Sequence, residues 1–479
     1  MVSGCDQCGF GLSYCVDTVG LCRTGERSIR IGIVCHNIET QPSMRAAIER
    51  FRFTEFQLLI VPSLMAIVGL LTIFLARTGE TSWTWADIWV SLAYVALLVG
   101  ITLWFSASGF RGDQALFPIV AMLAGVGLLM IQRLQPELAE RGGAWANLAG
   151  RQVIYLALGL LVLWGMITFV RRLNWLRRYK YTLALAGVFL MVITMIFGQE
   201  INGARLWLDL GFVVVQPGEL VKVILVVFLA AYLADHHDLL AGHYRIGPLK
   251  LPPIPYLLPL VFMWLMAVMI VVLQNDLGTA LLFFGIFLTM LYASTGRLLY
   301  VVAGLVSFVI AVYFTYEIFS HVAVRVRNWI DPWESPLGIG YQQIQGEYAL
   351  ASGQLFGTGL GFGEPGTIPV VETDYIFAAI GEELGLLGTF GVLCLYMLLI
   401  ARGYLIAIRA VSQFERLLAL GVTTILALQT IIIVAGNLRL IPLTGITLPF
   451  ISAGGSALLA NFLIIGILLR ISESKWDRR

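Results

Sequence analysis

The chain has 479 residues, 59% of them hydrophobic and only 13% charged, with a formal net charge of +2. A soluble domain carries about 25% charged residues, so a water-soluble globule is excluded, and so small a net charge gives no footing for a nucleic-acid partner. Apolar runs long enough to cross a bilayer recur along the chain, and an open sheet in lipid would leave backbone groups unpaired, so the expected class is all-α, a polytopic integral membrane helix bundle without strands.

Residues 1–56 are polar and Gly-rich and lack the apolar region of a signal peptide. They are expected to be a cytoplasmic, disordered segment. Five of the six cysteines lie there, but Cys5 and Cys8 form the single C-x-x-C, and a zinc site would use a second close pair. Met44, followed by the basic amphipathic RAAIERFRF, offers an alternative start.

Crossings are expected over 57–76, 88–106, 115–131, 151–170, 181–197, 218–234, 255–273, 279–294, 298–316, 374–400, 415–435 and 448–469, about twelve in all, with a long polar loop, 317–373, before the tenth. The first two form an extra N-terminal pair (57–106), ahead of the main body at 107–472 and a short tail at 473–479. Arg171, Arg172, Arg177, Arg178, Lys180, Arg245, Lys250, Arg402 and Arg409 fall in alternate loops with the basic lead-in and tail. By the positive-inside rule those loops and both termini face the cytoplasm, and the long loop faces outward.

Four stretches on the outward side are unusually polar or turn-rich. Residues 198–222 carry Arg205, Trp207, Glu219 and Lys222; the last two, at i and i+3, share a helix face and either form a closed ion pair or present Lys222 to an anion. Asp276 breaks an apolar run within LQNDLGT. The long loop mixes Trp329, Trp333, Tyr341 and Tyr348 with Arg325, Arg327 and Asp331, a mixture suited to sugar faces. Residues 440–459 hold Pro442, Pro449, Gly454 and Gly455, the pattern of a broken helix end lining a cavity. At the edge of the tenth crossing stands Asp374, either an N-cap for that helix or a group facing an aqueous substrate. Glu382 and Glu383 follow about 12 Å deeper at 1.5 Å per residue, where they need protein or trapped water around them. The cluster Asp235, His236, His237, Asp238 reads as a solvated loop rather than a metal site.

In order, NGARLWLDLG with QPGELVK, QNDLGTALL, RNWIDPWESPLGIGYQ, ETDYIFAAIGEELGLLG and TLPFISAGGSALL resemble the SEDS proteins (shape, elongation, division and sporulation), of the RodA, FtsW and SpoVE kind. The resemblance implies a peptidoglycan glycosyltransferase that polymerises lipid II on the outer face of the bacterial cytoplasmic membrane, working with a class B penicillin-binding protein. It implies that Asp374 is the essential aspartate, and that Trp207, Glu219 and Lys222 are functional, with Arg205 in the same motif; the displacement itself needs a general base within reach of the acceptor hydroxyl, and Asp374 is expected to be it. Arg205, Lys222 or a divalent cation, Mg or Mn, is expected to neutralise the leaving diphosphate. An α-linked donor giving a β-linked chain implies inversion in one displacement. The alternative is a transporter that flips lipid II. Three departures from the family pattern stand out: the N-terminal pair adds two spans to the family's usual ten, Asn275 replaces a usual Pro, and Ala453 replaces a usual aromatic.

Overall fold

The computed structural model describes residues 52–76, 85–139, 147–170, 173–201, 204–209, 211, 214–237, 244–246, 249–251 and 254–473. The Cys-bearing leader, Asn202 and Gly203 of the NGA motif, Asp238 and the tail 474–479 lie outside the described residues.

The apolar runs fold as twelve long helices: α1 (Phe53–Ala76), α2 (Trp85–Ser108), α3 (Leu116–Ala139), α4 (Leu148–Phe169), then, after the short α5 (Asn174–Arg178), α6 (Lys180–Phe197), α7 (Pro217–Asp235), α8 (Ile254–Leu273), α9 (Leu277–Thr295) and α10 (Leu298–Ile318). After α11 (Ser320–Ile330) and α12 (Tyr341–Gly353), which lie in the polar segment, come α13 (Ile376–Arg409), α14 (Gln413–Asn437) and α15 (Gly455–Glu473). Eleven are long and apolar enough to span a membrane, and the twelfth, α8, contributes an apolar stretch over Leu257–Leu273. Helix ends follow local chemistry. Pro217 opens α7 in its first turn, where its missing N–H costs little. Ser412 and Glu415 form a capping box at α14, and Gly296 closes α9 in the left-handed region.

The spans divide by burial. In α3, 83% of the apolar window is buried inside the protein, and in α14 78%, whereas in α10 only 6% is. Lipid is as apolar as leucine, so α10 needs no protein cover, and the central helices are held by close packing rather than by exclusion of water. At Gly455, where α15 crosses α4, a Cβ would stand 2.6 Å from the Tyr155 ring. Gly454 has no such close neighbour and makes only ordinary contacts.

A buried cation just ahead of α1 ties that helix to the connection between α2 and α3. Arg52, 2% exposed, pairs with Glu55 and donates to the carbonyls of Phe110 and Asp113, each at 3.1 Å.

Two expectations need correction. Strands are present: β1 (Gln199–Ile201), β2 (Ala204–Asp209) and β3 (Val214–Val215) form a small antiparallel sheet, and β4 (Tyr244–Ile246) pairs with β5 (Leu249–Leu251). They lie in the connections between helices, where edge groups are not left in hydrocarbon, so the argument against strands in lipid stands but does not reach them. The segment 317–373 is also no open loop. It contains α11, α12 and two single 3-10 turns at Pro332–Glu334 and Pro365–Thr367. A periodicity of one apolar face, weaker than a membrane span, marks α11.

Candidate functional site

Asp374 does not cap α13. Tyr375 occupies the cap position and makes no side-chain cap bond. Instead Asn437, at the end of α14, supplies the acceptor: the Ala378 N–H donates to its Oδ1 at 3.2 Å. Its Nδ2 donates to the Asp374 carbonyl at 2.8 Å and to the Ile433 carbonyl at 3.0 Å. A cap provided by a distant helix relieves Asp374 of that duty and pins its backbone. The Asp374 carboxylate accepts a hydrogen bond from Thr373 Oγ1 at 2.9 Å. Burial pushes its carboxyl up to about 6, against the Thr373 hydrogen bond and the charge of Arg325, which act downward, and with the charge of Glu372 acting upward.

The irregular segment between α14 and α15 wraps this acid. Ser452 Oγ donates to the Thr373 carbonyl at 2.6 Å, and the Ala453 N–H donates to the Glu372 carbonyl at 2.9 Å. Gly445 has φ +73°, and a Cβ there would lie 3.8 Å from Asp374 Oδ2. Arg325 on α11 donates from Nη1 to the carbonyl of Thr444 at 3.3 Å. That carbonyl also faces the first turn of α9, where a Cβ on Gly278 would come within 2.7 Å of it. In the same turn Asp276 caps α9, accepting from the Thr279 N–H at 2.9 Å and its hydroxyl at 2.6 Å. Burial raises the Asp276 carboxyl. The Thr279 hydrogen bonds and then Arg325 pull it down, and Glu219 adds to the rise. The preceding Asn275 has φ +62°. Proline is confined to φ near −65°, so the family's usual Pro does not fit this backbone, whereas Asn tolerates it.

Asp374, Asp276, Glu219 and Lys222 are therefore gathered at one end of the bundle. Of the two arrangements the sequence left open for Glu219 and Lys222, the structure shows one. Lys222, 1% exposed, lies 2.5 Å from Glu219 and donates to Gln429 Oε1 at 3.1 Å. This is the closed ion pair, not a presented cation. Arg205 stands on the β1–β2 hairpin, more than half exposed, 3.3 Å from Glu200 opposite it. Trp207 is on the same strand, paired with Gln199.

Glu382 and Glu383 are not deep in an unbroken span. Gly385, at φ 67° and ψ −166°, breaks α13 just after them. A Cβ there would strike the Gly357 nitrogen at 2.3 Å. Loop residues dock into the break, with the Leu386 and Leu387 N–H groups donating to the carbonyls of Gln354 and Leu355. Glu383, fully buried, lies 2.7 Å from Arg133 Nε, and Arg133 also reaches Glu137 at 2.6 Å and the Gly363 carbonyl at 2.6 Å. Glu382 accepts from the Glu364 N–H at 2.8 Å.

Arg133 and Asn437 went unassigned in the sequence, where Arg325 stands only as one member of the long loop's polar and aromatic mixture. Arg133 falls just past the expected end of the third crossing, and a lone cation in an otherwise apolar helix is the signal that points to a buried partner. Asn437 carries no such signal. Among the described residues no three His, Cys, Asp or Glu side chains converge, so Mg or Mn would rest on one or two carboxylates together with the substrate's own phosphates. Asp235 is held by Arg177 and Lys180.

Comparison with known proteins adds the following. Residues 114–476 match the family model FtsW/RodA/SpoVE, described as cell cycle protein. The peptidoglycan glycosyltransferase RodA of Mycobacterium tuberculosis (strain ATCC 25618 / H37Rv) is 38% identical over 427 residues, 88% of this chain and 90% of the relative. That coverage is long enough to reach beyond the family region into the N-terminal helix pair. The probable peptidoglycan glycosyltransferase FtsW of Thiomicrospira cyclica is 34% identical over 370 residues, 75% of this chain and 91% of the relative. A solved structure, described as the structural coordination of polymerization and crosslinking by a peptidoglycan synthase complex, superposes with a TM-score of 0.63 at 27% identity, over 77% of this chain and 99% of the other.

Proposed function

The chain belongs to the FtsW, RodA and SpoVE family of cell cycle proteins, and from that premise we propose that it polymerises lipid II into glycan strands at the outer face of the bacterial cytoplasmic membrane. It is a multi-pass membrane enzyme, a peptidoglycan glycosyltransferase. The positive-inside bias supports placing the Asp374 end outside and both termini in the cytoplasm. A class B penicillin-binding protein is the partner that the synthase-complex likeness supports.

The observation that carries the reading is the state of the Asp374 carboxylate. Asn437 takes over the helix cap, one hydroxyl holds the carboxylate in place, and a glycine, Gly445, lies beside it. In the reaction an acceptor hydroxyl attacks the anomeric carbon of a lipid-linked sugar. Its proton passes to Asp374, the bond to the diphosphate breaks, and the electron pair leaves on that group. The single displacement inverts the anomeric centre. A general base needs hydrogen-bond reach and a pKa near the working pH, and burial moves Asp374 toward that range. No step is routed through a metal; titrating Mg2+ or Mn2+ into the purified protein reads any requirement.

Purified protein incubated with labelled lipid II, with and without the partner, tests the function. Glycan polymer on a gel is the expected result. Lipid II that crosses a vesicle bilayer without being joined would mark a transporter, and neither outcome a scaffold. The reading favours polymerase over transporter because Asp374, Asp276, Arg325 and the Glu219–Lys222 pair are gathered at one end of the bundle, and a transporter needs access from both.

A further inference from the structure

A leaving diphosphate needs a cation, and the two put forward by the sequence are committed elsewhere, Arg205 to Glu200 and Lys222 to Glu219 and Gln429. We propose that Arg325 receives the leaving diphosphate, from a position between the Asp374 carboxylate and the Asp276 turn. The proposal deepens the glycosyltransferase reading and rests on it.

The placement follows from one dipeptide. Thr444 accepts the hydrogen bond of Arg325 Nη1 through its carbonyl, and that carbonyl abuts Gly278 in the turn that Asp276 caps. The next residue, Gly445, is the one that faces Asp374 Oδ2. Guanidinium, base and turn therefore meet on Thr444–Gly445. The sequence of α11 delivers the arginine there. Val322, Arg325 and Trp329 recur at i, i+3 and i+7 and share a helix face. Val322 is buried, and Trp329 Nε1 donates to the Arg439 carbonyl at 3.0 Å. Arg439 in turn donates to the carbonyls of Trp329 and Ile330 at 2.8 and 2.7 Å, fixing the end of α11.

Arg325 is half-buried, and among the described residues it forms no ion pair within 4.0 Å. In that it differs from Arg133 and Arg439, which lie against Glu383 and Glu347. A guanidinium carries five donors in a planar fork that matches phosphate oxygens. One donor goes to Thr444, and the rest remain for a ligand. The hydroxyls of Thr444 and Thr447, in the same segment, are buried without a hydrogen-bond partner. Buried hydroxyls in native proteins are normally partnered, and a diphosphate offers acceptors for both. As the anomeric bond breaks, the electron pair and its charge pass to the diphosphate, where Arg325 meets them, while Asp374 keeps the proton of the acceptor hydroxyl.

The test uses purified full-length protein with Arg325→Gln, Arg325→Met and Arg325→Lys. Inorganic pyrophosphate binding is measured by calorimetry, and lipid II polymerisation as a function of pH. The Gln and Met variants are expected to bind pyrophosphate at least tenfold more weakly and to polymerise at least 100-fold more slowly. Arg325→Lys is expected to recover part of both. Any residual activity is expected to show its acid limb at higher pH than wild type, because Asp374 has lost a neighbouring cation; a purely structural role would not move it. Wild-type pyrophosphate affinity and rate in whichever neutral variant folds overturns the proposal and leaves the polymerase reading intact. A wild-type protein that binds pyrophosphate through Arg325 but never joins lipid II overturns the polymerase reading instead.

Discussion

Two groups of acids lie toward the same end of this bundle, and they are held in opposite ways. Glu383 is fully buried against Arg133, with loop backbone docked into the helix break beside it. Asp374, nine residues earlier in the chain, has one hydroxyl on its carboxylate, a glycine facing it, and its helix cap filled by another residue. Both are carboxylates at the edge of hydrocarbon. One is consumed by the fold, and the other is left over. Being an acid in a membrane helix does not mark a functional group; being an acid that the fold leaves unspent does.

The sharpest way to break this contrast is at Arg133. Arg133→Met leaves Glu383 buried and unpaired, and removing one partner of a buried pair costs about 3–5 kcal/mol. The apparent melting temperature should fall markedly, and the double variant Arg133→Met, Glu383→Leu should recover most of it. Next is Asn437→Ala. Loss of a helix cap costs about 1–2 kcal/mol, and here the Asp374 backbone loses its tether as well, so kcat should fall together with thermal stability. Acidification tests Asp374 itself. Asp374 works deprotonated, and burial holds its carboxyl at about 6. Polymerisation should therefore fall below pH about 6, approaching tenfold per unit. The sign for stability is the reverse. The folded-state value lies above the ordinary 3.8, so protonation through this window favours the folded protein, and acid should slow the enzyme while this group adds to folded-state stability. The smallest effect is expected at Arg205→Ala. An exposed pair of this kind is worth about 1 kcal/mol or less, and its effect on lipid II turnover should be well below that of Arg325→Gln.

The membrane spans were legible because a bilayer demands long apolar runs, and nothing else in the chain looks like them. Asp374 was legible because it stands where such a run begins. The trans cap was not, since Asn437 is 59 residues from the N–H it accepts and an Asn at a helix end has many uses. Nor was the Arg133–Glu383 pair, whose partners come from different helices, or the docking of the polar segment into the break at Gly385. The full setting of the expected substrate cations was hidden for the same reason. Glu219 and Lys222 share a helix face, so the pair could be read, but only the fold shows Gln429 completing it. The β1–β2 hairpin was too short for period-two patterning to reveal.

Glycan synthesis by purified wild-type protein and by Asp374→Asn, from labelled lipid II under identical conditions, tests the central claim most directly. The substitution keeps the shape and, with Asn437 supplying the cap, should keep the melting temperature; polymer should fall at least 100-fold, the lower bound for loss of a general base. Polymer formed at the wild-type rate by a folded Asp374→Asn protein would contradict the account.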